Sequence, residues 1–122
     1  MQSGLLINDY LGATVVTFQE ASVIDGVVVE AIGRELYALV DQKDKKKIIL
    51  DFTAVRFLSS SMLGVLMLLH RKAGAIRARV VLCGLRDEIM KVFKIMKLDK
   101  VLEFARDEEA ALTALDVHPP KS

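Results

Sequence analysis

Apolar residues along the chain recur in two alternating rhythms, one suited to strands and one to helices. Leu5–Tyr10 and Ala13–Phe18 are short segments, the second β-branched at Val15, Val16 and Thr17, and only Leu11 and Gly12 separate them. They predict a β-hairpin. Beyond Asp25, a suitable N-cap, Val28, Ile32, Leu36 and Leu39 fall at spacings of four, four and three, the signature of one helical face. The charged stretch Asp41–Lys47 follows as a connection. Ile48, Ile49 and Leu50 are apolar in succession and end at Asp51, as in a central strand covered on both sides. Ser59, Ser60 and Ser61 break the pattern and lead into an apolar helix, Met62–Ala73, which Gly74 is placed to stop. Arg79–Cys83 reads as a second buried strand, punctuated by Gly84. Leu85, Ile89, Val92, Phe93 and Met96 then mark an amphipathic helix, with Asp87 and Glu88 near its start and Lys94 and Lys97 near its end, each opposing the helix dipole. Val101–Phe104 predicts a last strand and Asp107–Leu115 a closing helix.

Strands alternating with helices imply an α/β fold: a mixed, mostly parallel sheet of about five strands, with an N-terminal hairpin and about four helices. A chain of 122 residues has room for one domain. Its extent is expected to be 1–117, with 118–122 (His118, Pro119, Pro120, Lys121, Ser122) as a flexible tail.

Composition narrows the functional classes. At 52% hydrophobic residues and a mean hydropathy of +0.36 the chain is too apolar for disorder. Its formal net charge of +1 argues against direct nucleic-acid binding. The longest apolar run, Met62–Leu69, is far short of the roughly 20 residues that span a bilayer, so membrane insertion is not expected. Met1–Gly4 shows no basic segment leading into an apolar one, which makes the cytoplasm the expected location. Cys83 is the only cysteine and has apolar neighbours, a core thiol rather than a disulfide or zinc ligand.

No phosphate loop, H-E-x-x-H, C-x-x-C or G-x-S-x-G motif occurs, and neither His70 nor His118 can be tied by spacing to a nucleophile. An enzyme is not expected, and neither a cofactor nor a metal is called for. The informative stretch is Ile48–Gly64, IILDFTAVRFLSSSMLG. Its strand ends at Asp51 and its serines open a helix, so the serines lie at the strand C-terminal edge, where α/β sheets meet ligands and partners. One serine serves as an N-cap. Three exceed that need, and a phosphate placed there would face free amides and the positive end of the dipole. Met62–Leu69 is apolar around its whole circumference, so beyond a core face it needs a second cover, which either a neighbouring helix or a partner that meets an exposed apolar patch would provide.

These residues resemble the signature of the STAS family, the sulphate transporter and anti-sigma factor antagonist domain, at Ile49, Leu50, Asp51, Thr53, Val55, Phe57, Leu58, Ser60, Ser61, Leu63 and Gly64. The resemblance implies an anti-sigma factor antagonist that works by partner switching. Its partners would be an anti-sigma factor that is a serine kinase and a phosphatase that resets the switch, and a homodimer is compatible. The resemblance puts the phosphoacceptor at Ser60, with Ser59 and Ser61 as alternatives. It puts the partner interface at Asp25, Asp51, Thr53, Ser59, Ser60, Ser61, Met62, Leu63 and Leu66. Ser59 and Met62 stand where the family's common Asp-Ser-Ser-Gly pattern has Asp and Gly. The alternative is a non-phosphorylated STAS adaptor or scaffold subunit in a larger signalling or transport complex.

Overall fold

A computed structural model describes residues 4–118. Strands β1 (Leu5–Tyr10) and β2 (Ala13–Phe18) form the expected hairpin, with Tyr10 opposite Ala13. Its two-residue turn is left-handed at both positions, Leu11 at φ 50° and Gly12 at φ 90°, the twist that lets two strands continue without splaying. Two short strands follow at intervals, β3 (Ser22–Val23) and, after helix α1 (Gly26–Asp41) and strand β4 (Lys47–Asp51), β5 (Phe57–Leu58). Helix α2 (Ser60–Ala75), strand β6 (Arg79–Cys83), helix α3 (Asp87–Ile95), the 3-10 turn Leu98–Lys100, strand β7 (Glu103–Ala105) and helix α4 (Glu108–Ala114) complete the chain.

The main sheet has the order β1-β2-β4-β6-β7, antiparallel only in the hairpin and parallel in every other pairing. Alternation along the strands divides the core in two. Val16, Phe18, Ile48, Leu50, Val80 and Leu82 face α1, α2 and α3. On the opposite face Val15, Ile49, Val81 and Cys83 meet Ala111, Leu115 and Val117 of α4 and the residues after it. The central strands are thus covered on both sides, which is why they read as unbroken apolar runs.

Two boundaries and one pair of strands differ from what the sequence predicts. Helix α2 continues through Gly74, because the chain turns only at Arg77, whose φ is 60°, while Ile76 N–H and Ala78 N–H return to Ala73 O at 3.1 and 2.7 Å. The last strand begins at Glu103 because the 3-10 turn takes up the residues before it: Val101 N–H and Leu102 N–H both donate to Leu98 O. Strands β3 and β5, of two residues each, were not expected; they pair in parallel as a separate small ladder. At the C-terminus Val117 is buried and His118 exposed, and the rest of the expected tail lies outside the described residues. No helix among the described residues is long and apolar enough to cross a membrane.

Candidate functional site

The small ladder builds the site. It aligns Ser22 with Phe57 and Val23 with Leu58, and Ser59 N–H donates to Val23 O at 3.1 Å. The segment leading into α1 is thereby tied to the segment leading into α2, at the edge where the parallel strands end. Both helices start there with side-chain caps. Asp25 Oδ1 accepts from Val27 N–H at 2.9 Å and Val28 N–H at 3.4 Å. Ser59 Oγ accepts from Met62 N–H at 3.3 Å.

The three serines therefore have different situations. Ser59 is half-buried and its hydroxyl is engaged as the cap. Ser60 and Ser61 are exposed in the first turn of α2, beside amides that have no intrahelical acceptor. Thr53 and Asp25 are also exposed at this edge.

The interface expected at Met62, Leu63, Leu66 and Asp51 needs correction. Met62 is fully buried, Leu63 and Leu66 nearly so, within the core that α1, α2 and the sheet share, while α1 packs alongside α2 at Val65, which lies against Gly33. Asp51 is 8% exposed and directed to the α4 side of the sheet, where its work is structural. Its Oδ1 accepts from Thr53 N–H at 2.9 Å and Thr53 Oγ1–H at 2.6 Å, closing the loop that carries Phe57 to the edge. Gly84, at φ 71°, lies against this link so closely that a Cβ there would overlap Thr53 Oγ1. Burial pushes the Asp51 carboxyl up, but hydrogen bonds from Glu108 and Thr53 outweigh burial and hold it below its ordinary value. Glu108 carries the shared proton: its hydrogen bond to Asp51, reinforced by burial and by the Asp51 charge, raises it to about 7. Burial, with the nearby Asp51, Glu108 and Asp107 charges, pushes the Cys83 thiol up to about 12, as expected of a core thiol.

The exposed apolar surface lies beside α2 rather than on it. Phe57 is 61% exposed and Ile24 56%, and with Leu58, Ile89 and Val92 they line an open groove of about 570 Å³ between the small ladder and α3. Arg56, Arg86 and Glu88 stand at its rim. Ile24, Arg86 and Val92 were missing from the sequence reading of the site. Val92 could have signalled it, since the α3 stripe is wider than one sheet edge can cover.

Comparison with known proteins agrees with this architecture. The model of the STAS domain matches residues 7–111. BtrV of Bordetella bronchiseptica, described as an anti-sigma factor antagonist, is 28% identical over 99 residues, covering 81% of this chain and 84% of its own. An anti-sigma factor antagonist from Mycobacterium paratuberculosis superposes with a TM-score of 0.81 at 24% identity, over 92% of each chain. The Bacillus cell fate determinant SpoIIAA in its phosphorylated form superposes with a TM-score of 0.71 at 22% identity, over 91% of this chain and 98% of its own.

Proposed function

The chain belongs to the STAS domain family, and from that membership we propose that it is an anti-sigma factor antagonist controlled by phosphorylation at Ser60. The observation that carries this reading is the pairing of a free serine hydroxyl with an apolar surface at one edge. Ser60 is exposed in the first turn of α2, and the groove containing Ile24, Phe57 and Val92 opens beside it. Ser59 is the less suitable acceptor because its hydroxyl already caps the helix. Ser61 is exposed and remains the alternative.

In the unphosphorylated state the edge would bind the anti-sigma factor, with Phe57 as the apolar anchor and Asp25, Thr53 and the serines as its polar rim. A phosphate on Ser60 would be held by free amides at the helix N-terminus, so the fold would survive modification. Its charge of about −2 would meet the partner's apolar contact and weaken the complex. The anti-sigma factor would itself be the kinase and a phosphatase would restore the serine, in the cytoplasm. The chain would perform no catalysis of its own. That SpoIIAA has been solved in a phosphorylated form supports this reading.

Incubation with ATP and the cognate anti-sigma kinase, followed by peptide mass spectrometry, should place the phosphate on Ser60. Ser60→Ala should retain kinase binding and Ser60→Asp should weaken it at least tenfold, on the order of 1.4 kcal/mol. Label at another serine, or equal affinity of the two variants, would refute the switch. Stable co-purification indifferent to Ser60→Asp would favour the scaffold reading instead.

A further inference from the structure

The C-terminal end of α3 is explained neither by the core nor by the serine edge. Ile89 and Phe93 are buried under the sheet, but Ile95 is 77% exposed, Met96 57% and Val101 44%. Four lysines surround them. Lys91, Lys94, Lys97 and Lys100 are all exposed, and none enters an ion pair among the described residues. With Asp99 as the only acid, residues 91–101 carry a net +3, whereas the whole chain carries +1. The near-neutral total thus conceals a basic patch on a domain that is acidic elsewhere.

Local backbone holds the patch together. Met96 N–H donates to Val92 O and Lys97 N–H to Lys94 O at 3.0 Å each, which closes the helix, and Lys97 then turns back at φ 60°. Val101 N–H returns to Leu98 O at 3.1 Å, folding the 3-10 turn beside the helix end. The α3 helix starts after the C-terminal end of β6 and runs back along it, so this end lies roughly 13 Å along the helix from the edge that holds Ser60.

We infer that the Ile95–Met96 tip with its four lysines docks on an anionic phospholipid surface. The lysine ammonium groups would face lipid phosphates and carboxylates, and Ile95 and Met96 would enter the headgroup boundary, the pairing of basic and apolar groups that interfacial helices use. This is a surface contact, without a spanning segment. Charge decides the occupant. A second copy in a two-fold contact would set lysines against lysines. A nucleic acid would satisfy the charges but leave Ile95 and Met96 against water or phosphate, with the segment's aromatic side chain, Phe93, buried and so out of reach of base stacking. Because the serine edge is at the opposite end of α3, a membrane-bound molecule would keep that edge open to a protein partner.

The test is sedimentation of the full chain with vesicles of phosphatidylcholine alone or with about a quarter phosphatidylserine. Binding is expected only to the anionic vesicles and should fall as salt rises from about 0.05 M to about 0.5 M. Lys94→Glu with Lys97→Glu should weaken it at least tenfold, since each lysine near the surface is worth roughly fivefold. Ile95→Ser with Met96→Ser should also weaken it several-fold, and both double variants should keep the parent's melting temperature because the side chains are exposed. Equal binding to neutral vesicles, no binding to anionic ones, or indifference to either double variant would overturn the proposal. A duplex DNA probe bound more tightly than anionic vesicles would overturn it in favour of nucleic acid, and poly-glutamate bound without vesicles would do so in favour of an acidic protein.

Discussion

Replacing Gly84 by alanine perturbs the carboxylate link beneath the serine edge without removing any side chain. At φ 71° the position is left-handed, which costs an L residue about 1–2 kcal/mol. The added Cβ would overlap Thr53 Oγ1 and stand 3.0 Å from Asp51 Oδ1 and 3.1 Å from Thr53 N. Thr53 must withdraw, stretching its hydrogen bonds to Asp51, now 2.9 Å from the amide and 2.6 Å from the hydroxyl. A hydrogen bond to a charged group is worth about 1.5–3 kcal/mol, and because Thr53 is exposed, water recovers much of that, leaving a loss of about 1 kcal/mol. The total is about 2–3 kcal/mol. With a urea slope of about 2 kcal/mol per molar, the unfolding midpoint should fall by about 1–1.5 M. Thr53→Ala removes the overlapping hydroxyl, so Gly84→Ala in that background should cost only its backbone share, with a coupling of roughly 1 kcal/mol in the double-mutant cycle. A loss below about 0.5 kcal/mol, or the same loss in both backgrounds, would refute the claim that Gly84 closes the Asp51–Thr53 link.

Other variants separate core from surface and test the titrating groups. Leu66→Ala should lower stability by about 2–5 kcal/mol, seen as a large fall in melting temperature, because Leu66 is buried in the main core. Phe57→Ala should leave the melting temperature nearly unchanged and weaken partner binding in a titration, since Phe57 is 61% exposed. The Asp51–Glu108 pair gives opposite pH dependences: the Glu108 contribution is complete below its ordinary 4.5 and is lost as pH rises through about 7, whereas the Asp51 contribution is lost as pH falls through the acid range below its ordinary 3.8. After screening at this partly exposed site the Glu108 part is about 1 kcal/mol, so urea midpoints should decline from pH 5 to pH 8, and Glu108→Gln should flatten that decline. Cys83, with its thiol raised to about 12, should react with a disulfide reagent at pH 8 at least about a hundredfold more slowly folded than in urea.

Most of the architecture was legible because its signals are periodic. Ile48–Leu50 and Arg79–Cys83 read as covered strands since both faces are covered, and Asp25 read as a cap since it is one. What the sequence did not disclose depends on neighbours in space. Met62–Leu69 is apolar all round, a pattern shared by a helix with an exposed patch and one enclosed by a second helix, and only the packing of α1 on α2 distinguishes them. The same blindness applied to Val92 and Met96, which continue the α3 stripe but lie beyond what the sheet covers. Asp51 belonged to a recognisable motif, yet its link to Glu108 joins residues 57 positions apart. The β3–β5 ladder has two residues per strand, too few to carry any periodicity.

That ladder has a further consequence for local stability. Its attachment rests on Arg56 N–H and Phe57 N–H to Ala21 O, Ser59 N–H to Val23 O, and two residue pairs, with the five-stranded sheet taking no part. Opening it would break few backbone bonds and draw Val23 and Leu58 off the core while the main sheet stays paired, so the segment should exchange its amide hydrogens through local excursions, before the strands of the main sheet do. An enzyme that must draw the Ser60 segment into its own cleft would then meet a strap that unfastens alone, and the rest of the domain would stay folded while it is held.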